Sequence, residues 1–174
     1  WRADWLKKGH LYFIVRSYIQ INLLQGILIV VIAFPFVISL TTYSFPWFFT
    51  AIGASISLIG IAIETIADRQ VDKFIDDKKT GKNLKPFLAE GLFRYSRRPN
   101  YFGETLVWWG IATMVLPLPF GYLGLVGPIT ITYIVTRITG PMLEKIFIEK
   151  YNTPYVEYMK QTSYFIPLPP KQVR

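Results

Sequence analysis

The sequence predicts an all-α membrane protein, a polytopic bundle of about four transmembrane helices. Two tracts without Asp, Glu, Lys or Arg predict it, residues 17–63 and residues 105–136. About 20 apolar residues are enough to cross the hydrocarbon core as a helix. The first tract is therefore long enough for two crossings, and the second for two short ones. All 19 Lys and Arg residues lie outside these tracts.

Turn-forming residues divide each tract into two spans. The segment TTYSFPW interrupts the first tract and predicts helices at about 18–40 and 46–67, with a kink at Pro35. The segment PLPFG interrupts the second and predicts helices at about 100–116 and 122–139. We expect the whole chain to form a single membrane domain.

The positive charges predict the orientation. The segment 68–98 carries nine Lys and Arg residues, whereas TTYSFP and PLPFG carry none. Because Lys and Arg near the ends of spans are retained in the cytoplasm, we expect both termini, the loop 68–98 and the tail 140–174 to be cytoplasmic. The net charge of +8 then indicates a face against anionic membrane lipid. We expect no nucleic-acid partner.

Cysteine and histidine usage excludes several kinds of site. The chain has no cysteine, which excludes disulfides, thiolate nucleophiles and thiolate metal sites. The single histidine, His10, excludes a multi-histidine metal site, and we predict no metal. No signal peptide precedes the first span, and the chain begins at Trp1. We expect a fragment of a six- or seven-span protein that lacks its N-terminal spans.

Two amides lie within the first predicted span. An unpaired amide in hydrocarbon costs several kcal/mol, so Asn22 and Gln25 need partners, and their spacing places them on roughly one helical face. Such residues either hold neighbouring helices together or line a substrate cavity. Both interpretations stay open.

Two acids mark the end of the second predicted span. Glu64 and Asp68 are four residues apart and share a helical face. Ionisable groups near membrane depth are functional candidates. This pair would hydrogen-bond a ribose, a nicotinamide amide or an amino group, or else pair with Arg69 and the basic loop.

The segment GLFRYSRRPNYFGETLVWWG, residues 91–110, contains the densest group of charged, amide and tyrosine side chains. Pro99 fits the first turn of a helix and keeps the preceding residue extended, so Arg97 and Arg98 are predicted to project ahead of the helix N-terminus. Free backbone N–H groups and arginines together favour a pyrophosphate or another phosphate-bearing cofactor. The alternative is a positive anchor with interfacial tyrosines. The other members of this candidate site are Arg94, Asn100, Tyr101 and Glu104.

Gly140 and Pro141 predict a break after the last span. An apolar stripe that includes Phe147 and Tyr151 follows and predicts an interfacial helix. Whether the tail tyrosines, among them Tyr158, also contact a ligand is left open by their spacing. No GxGxxG or Walker loop occurs, so a nucleotide would be held without a Rossmann or P-loop unit.

Three motifs carry a resemblance to a known family: ETIADRQ, GLFRYSRRPNYFGETLVWWG, and LEK followed by YVEYMKQTSYFIPLPPK. Together they resemble the steroid 5-alpha-reductase-like membrane family, in particular its large bacterial-type branch, over essentially the whole chain. The resemblance implies an all-helical membrane domain that binds NADPH in a cytoplasm-facing cavity. It also implies reduction of an activated carbon–carbon double bond in a steroid or another lipid.

The resemblance also implies roles for individual residues. Glu64 and Asp68 match a polar pair that closes on the cofactor, while Asn100 and Glu104 match the polar positions of NYFGE near the nicotinamide. Arg137 matches a basic residue at the base of the last span. The cluster at Arg94, Arg97 and Arg98 resembles the phosphate-facing side, Tyr158 is a further cofactor-binding candidate, and charge reversal at Arg97 is expected to weaken NADPH binding most.

The chain departs from that family at the position of Arg98. The related branch has a histidine there, and an arginine cannot replace it as a general acid near neutral pH. We therefore name no catalytic residue.

Two other functions remain open. Membrane methyltransferases of the isoprenylcysteine and phospholipid type share a basic-Pro-x-Tyr-x-Gly pattern before a span and a C-terminal Tyr and Ile-Pro tail. Their cofactor, S-adenosylmethionine, has no phosphate, so the arginine cluster favours the reductase. The third class is a non-enzymatic lipid-binding subunit, in which the boundary acids and amides serve helix packing alone.

Overall fold

The computed structural model describes residues 2–40 and 44–171, which form helices joined by turns and contain no β-strand. This confirms the all-α prediction for the described residues. π-helical turns occupy Tyr18–Leu23 and Ile134–Thr139, and short 3-10 helices occupy Gly91–Arg94 and Gly121–Leu125. The α-helices are α1 (Arg2–Lys7), α2 (His10–Ser17), α3 (Leu24–Ile32), α4 (Phe34–Ser39), α5 (Trp47–Lys79), α6 (Pro99–Val115), α7 (Val126–Tyr133), α8 (Gly140–Tyr151) and α9 (Thr153–Gln161).

Within the described ranges, two helical runs are long and apolar enough to cross a bilayer, judged by length and composition. They are Trp47–Lys79, of 33 residues, and Gly121–Tyr151, of 31 residues. Helix α6 has 17 residues. At 1.5 Å per residue it is about 26 Å long, slightly less than the roughly 30 Å hydrocarbon core. The division into four spans therefore stays a prediction.

The first predicted span, 18–40, is observed as a longer helical run that starts at His10 and breaks at Ala33. Ala33 has φ −80° and ψ 3°, and Pro35 lies in the first turn of α4. A proline has no N–H and its ring clashes with the carbonyl of the fourth residue before it, so the helix cannot continue through it. The predicted kink is confirmed, and it lies two residues before the proline.

The second predicted span continues well beyond residue 67. Helix α5 extends without interruption to Lys79, so the charged segment that follows Asp68 is part of the same helix. Helix α6 matches the third predicted span closely, and Pro99 lies in its first turn as predicted.

The predicted break at Gly140 is wrong. Gly140 has helical dihedral angles, φ −63° and ψ −54°, and the chain passes from the π-helical turn directly into α8. Pro141 cannot donate a backbone hydrogen bond, which leaves carbonyls of the preceding turn without their helical donor. The Tyr164 hydroxyl lies 3.1 Å from the Thr136 oxygen and 3.2 Å from the Val135 oxygen, which also accepts the Gly140 N–H.

Small residues allow α5 and α6 to pack with their backbones almost in contact. A Cβ on Gly60 would lie 2.6 Å from the backbone oxygen of Gly103. The Ser57 hydroxyl donates a hydrogen bond to the Val107 carbonyl at 3.1 Å. Such packing is typical of helices in membranes, and it places the charged end of α5 beside the start of α6.

Much of the apolar surface faces outward. Leu11, Val30 and Trp47 are 74%, 64% and 78% exposed. Contiguous apolar surface of this kind marks contact with a membrane or with another protein. It agrees with the membrane class predicted from the sequence.

Candidate cofactor site

The four polar residues predicted at the membrane boundary are brought together by the contact between α5 and α6. The Asn100 side-chain amide donates a hydrogen bond to the Asp68 carboxylate at 3.3 Å. Glu64 and Glu104 are half-buried, and Glu64 lies directly against Gly103, the residue before Glu104. The predicted grouping of Glu64, Asp68, Asn100 and Glu104 is therefore observed.

Of these four residues, Asn100 also lines a cavity of about 240 Å³. We call it the aromatic chamber. Its rings come from three separate segments, because Asn152, with φ 52°, turns the chain between α8 and α9 so that both helices face the loop before α6. Asparagine adopts such left-handed values more readily than most residues. The chamber is lined by Phe87, Phe147, Tyr151, Tyr155 and Tyr158, with Arg98 and Asn100 among its polar residues.

The rings of the aromatic chamber form one packed cluster. The centroid of Phe87 lies 5.4 Å from that of Tyr151, 5.2 Å from that of Tyr155 and 5.3 Å from that of Tyr158. Phe147 lies 5.3 Å from Tyr155 on the other side. These distances are within the range of favourable aromatic pairs, so the rings that form the walls stabilise one another by packing.

Arg98 lines the aromatic chamber with an unsatisfied guanidinium group. Its Nε and Nη2 atoms are buried and have no hydrogen-bond partner among the described residues. Its guanidinium carbon lies 4.9 Å from the centroid of Phe147 and 6.0 Å from that of Tyr101. Burial of unpaired charged donors is costly. The arrangement therefore suits an anionic group, such as a phosphate or a carboxylate, bound at Arg98.

Arg97 has a different role from the one predicted. Its Nε and Nη2 atoms bind the Glu144 carboxylate at 2.7 and 3.0 Å, and Nη1 donates to the carbonyls of Met159 and Thr162 at 2.9 and 2.7 Å. Four of the five N–H groups of the guanidinium are thus used, and the side chain is buried. Too little of the guanidinium is left for a phosphate, so the cofactor role predicted for Arg97 is replaced by a structural one.

The residues just before α6 also hold the C-terminal tail. The hydroxyl of Ser96, which is fully buried, donates to the Phe165 carbonyl at 2.7 Å. The backbone N–H of Leu168 donates to the Tyr95 carbonyl at 3.0 Å. These bonds hold the C-terminal tail behind the aromatic chamber. The hydrogen bonds of Arg97 to Thr162 and Glu144 connect the same region to α8.

Two chamber tyrosines are held in the neutral form. Burial, and next the neighbouring Glu144 carboxylate, raise the pKa of Tyr155 to about 12. Burial also raises the pKa of Tyr158, whose hydroxyl donates to the Phe93 carbonyl at 2.5 Å. Both hydroxyl groups are therefore protonated at physiological pH.

A family model described as a protein of unknown function, DUF1295, matches residues 2–162. The chain belongs to the DUF1295 family. No curated protein and no solved structure matches the chain. The matched segment of this DUF1295 chain includes every ring of the aromatic chamber and both members of the Arg97–Glu144 pair.

The remaining predicted residues of the DUF1295 chain lie outside the aromatic chamber. Arg94 and Arg137 are exposed, and Tyr101 is half-buried beneath Arg98. Asn22 lies on an open apolar groove of the first helical run, and Gln25 is exposed. The substrate-cavity role of these two amides stays a prediction.

Sequence reasoning missed two residues that build the DUF1295 site. Phe87 belongs to an irregular segment, where no helical periodicity indicates a buried ring. Glu144 is part of the LEK motif, but its partner Arg97 is 47 positions away in sequence. No local pattern predicts a pairing over that distance.

Proposed function

We propose that this protein is an integral membrane oxidoreductase that uses NADPH to reduce a carbon–carbon double bond in a lipid or steroid-like substrate. The observation that carries the proposal is the buried, unpaired guanidinium of Arg98 within an aromatic chamber. A phosphate oxygen of the cofactor satisfies these donors, and charge-assisted hydrogen bonds of this kind are about twice as strong as neutral ones. When bound, NADPH supplies the hydride.

The boundary residues suit the nicotinamide end of the same cofactor. Asn100 lines the aromatic chamber and also binds Asp68, so it connects the chamber to the acids of α5. Carboxylates and amides are suited to the carboxamide and ribose hydroxyls of a nicotinamide nucleoside. The packed rings exclude water on the other side, which strengthens the electrostatic interactions of Arg98.

The membrane arrangement of the proposal has four spans, with the charged end of the bundle in the cytoplasm. The outward-facing apolar surface and the position of the Lys and Arg residues support it. The cofactor then enters from the cytoplasm, and the lipid substrate enters from the bilayer.

A second candidate function is methyl transfer from S-adenosylmethionine. Aromatic faces attract a sulfonium cation, and Arg98 would pair with the carboxylate of that cofactor. Arg97 is bound to Glu144 and Arg94 is exposed. The arginine cluster is therefore weaker support for a phosphate-bearing cofactor than the sequence alone suggests. We prefer the reductase because methyl transfer gives no role to the polar residues at the membrane boundary, Glu64, Asp68, Asn100 and Glu104.

A purely structural role for the site is disfavoured by Arg98. A residue that serves only helix packing gains nothing from burying two unpaired donors, which cost about 1–3 kcal/mol or more. A bound ligand would supply the hydrogen-bond acceptors that these two donors lack.

Calorimetric titration of the detergent-purified protein with NADPH and with S-adenosylmethionine, in parallel, tests the proposal. We expect saturable NADPH binding and no binding of S-adenosylmethionine. The opposite selectivity would move the assignment to methyl transfer. Binding of neither, in a sample with intact helical circular dichroism, would favour a non-enzymatic lipid-binding subunit.

A further inference from the structure

A separate cavity of about 260 Å³ lies between the end of α9 and the segment that follows it. We call it the tail pocket. Its lining comes mainly from residues 159–164 and from Leu168, Pro169 and Lys171. Among the described residues, Arg97 is the only one that also lines the aromatic chamber. The tail pocket is therefore distinct from the candidate cofactor site.

Backbone hydrogen bonds close the tail pocket. The Lys171 N–H donates to the Gln161 carbonyl at 2.9 Å, which closes the chain into a loop over residues 161–171. The Arg97 N–H donates to the Ser163 carbonyl at 2.9 Å and holds this loop against the start of α6. Three residues of the loop are prolines, whose fixed φ angles restrict the backbone. The pocket is thus a preformed feature of the fold.

The closure of the loop brings two lysines to one cavity. Lys160 precedes Gln161, whose carbonyl accepts the Lys171 N–H, and both lysines belong to the lining. Both are exposed, and neither ammonium group has a partner among the residues that the structure describes. No Asp or Glu occurs in the described lining, while the guanidinium of Arg97 is paired with Glu144. The tail pocket therefore has an excess of positive charge, which favours an anionic ligand.

A serine hydroxyl adds a neutral donor to the tail pocket. Ser163 is half-buried in the lining, and its hydroxyl has no hydrogen-bond partner in the described part of the chain. The neighbouring hydroxyl of Thr162, in contrast, lies 3.4 Å from the Arg94 carbonyl. Two ammonium groups and a hydroxyl complement the oxygen atoms of a phosphate. At about 260 Å³ the cavity is smaller than pockets that enclose drug-sized ligands, so it suits a compact headgroup.

The tail pocket lies level with the end of an apolar helical run. The hydroxyl of Tyr164, a lining residue, donates to the Thr136 carbonyl at 3.1 Å. Thr136 is the last residue of the uncharged tract 105–136, and Arg137 is the first charged residue after it. Phospholipid headgroups lie where the hydrocarbon core ends. The pocket is therefore at the depth of the headgroups.

Exposed apolar side chains lie beside the positive charge of the tail pocket. Leu168, which lines it, is 51% exposed, and Ile166 is 55% exposed. A ligand that is only an inorganic anion leaves these side chains in water. A lipid covers them with its acyl chains, and membrane affinity rises with both buried apolar area and attraction to anionic headgroups. The combination favours a lipid over a free anion.

We propose that the tail pocket binds the headgroup of an anionic phospholipid. The phosphate lies between Lys160 and Lys171 and accepts a hydrogen bond from the Ser163 hydroxyl, and the acyl chains lie along Ile166 and Leu168. A zwitterionic headgroup suits the pocket less, because its own ammonium group would approach two lysines. The inference does not rest on the proposed function, since Arg98 and the boundary acids are not part of the lining.

Native mass spectrometry of the full chain in a zwitterionic detergent tests the tail pocket, with phosphatidylglycerol and phosphatidylcholine of equal chain length as probes. We expect one phosphatidylglycerol to bind at least about tenfold more tightly than phosphatidylcholine. The double variant Lys160→Gln and Lys171→Gln should lose about tenfold in affinity for phosphatidylglycerol and stay within about twofold for phosphatidylcholine.

Two further variants complete the test. Lys82→Gln with Lys145→Gln makes the same charge change on exposed lysines outside the tail pocket and is the matched control. It should change the affinity for phosphatidylglycerol by no more than about twofold. Ser163→Ala removes only one oxygen atom, and we expect a loss of several-fold.

The possible outcomes separate this inference from its alternatives. Equal losses in the lysine pair and its control would show a general effect of charge and overturn the site. Displacement of phosphatidylglycerol by inorganic phosphate would show a site for a free anion and overturn the lipid assignment. A parallel loss of NADPH affinity in the Lys160→Gln and Lys171→Gln protein would assign the pocket to the cofactor instead. If the unmodified protein binds no NADPH but binds phosphatidylglycerol as expected, the proposed function fails and the tail pocket stands.

Discussion

At the scale of single residues, two adjacent arginines differ completely in their surroundings. Arg97 is paired with Glu144 and with two backbone carbonyls, whereas two buried nitrogen atoms of Arg98 have no partner among the described residues. From the sequence, both are expected to lie ahead of α6 and Arg97 to matter most for NADPH binding, whereas in the structure Arg98 is the one with unpaired donors among the described residues. The distinction depends on Glu144 of α8, which is 47 positions from Arg97 in the sequence.

The Arg97 pair predicts a large effect on stability. Arg97→Met leaves the Glu144 carboxylate buried without its partner, which typically costs about 3–5 kcal/mol. The exposed Arg94, replaced in the same way, should change stability by no more than about 0.5 kcal/mol. Thermal unfolding in detergent measures both. The double variant Arg97→Met and Glu144→Leu should recover part of the loss, and equal effects of the two single variants would contradict the structural role.

Tyr155 predicts a loss of stability at alkaline pH. Its pKa in the folded protein is raised to about 12, above the value of about 10 expected in the unfolded chain. The unfolded state therefore releases this proton first, so stability is retained below about pH 10 and falls as the pH rises toward 12. Tyr155→Phe should make this fall shallower, while Tyr122→Phe at an exposed site should not. An unchanged pH profile of the melting temperature in Tyr155→Phe would refute the effect.

At the scale of elements, the close contact between α5 and α6 positions the boundary residues. The contact depends on glycines, and two of them, Gly103 and Gly110, lie within the motif that the sequence analysis emphasised. Gly60, the partner of Gly103, lies in an apolar run where no polar residue indicates a function. Helical periodicity predicts both helices, but it does not predict which of their faces meet.

Gly60→Ala should separate the two helices. The added methyl group would lie 2.6 Å from the Gly103 oxygen, and overpacking of this kind costs about 1–3 kcal/mol. Gly26→Ala is the matched control, since its Cβ would meet nothing within 4 Å and alanine favours the helix by about 0.5–1 kcal/mol. Comparison of the two melting temperatures tests the packing. A Gly60→Ala protein as stable as the control would show that the helices do not meet there.

At the scale of the whole molecule, the sequence predicts the helices better than their arrangement. The uncharged tracts and Pro35 indicate where helices lie and where the first one bends. The break expected at Gly140 does not occur, and Tyr164, from the distant tail, donates a hydrogen bond to the carbonyls of the turn before Pro141. The aromatic chamber could not be predicted either, since Phe87 reaches it from an irregular loop. Long-range contacts decide both features.

The predicted orientation can be tested with introduced cysteines, because the chain has none of its own. Lys82→Cys lies in the charged loop and Pro119→Cys in the uncharged turn between the last two predicted spans. In intact cells, a membrane-impermeant maleimide should label Cys at 119 and not at 82, and lysis should expose both. Labelling of both positions, or only of 82, before lysis would contradict the proposed topology.

The central claim is that Arg98 in the aromatic chamber binds an anionic group of the cofactor, and the affinity of Arg98→Gln for NADPH tests it most directly. Calorimetry on this variant, with Arg94→Gln as a control of equal charge change, should give a loss of at least about tenfold for Arg98 and little change for Arg94. An equal loss in both variants would indicate a general effect of surface charge. Unchanged affinity in a folded Arg98→Gln protein would contradict the claim.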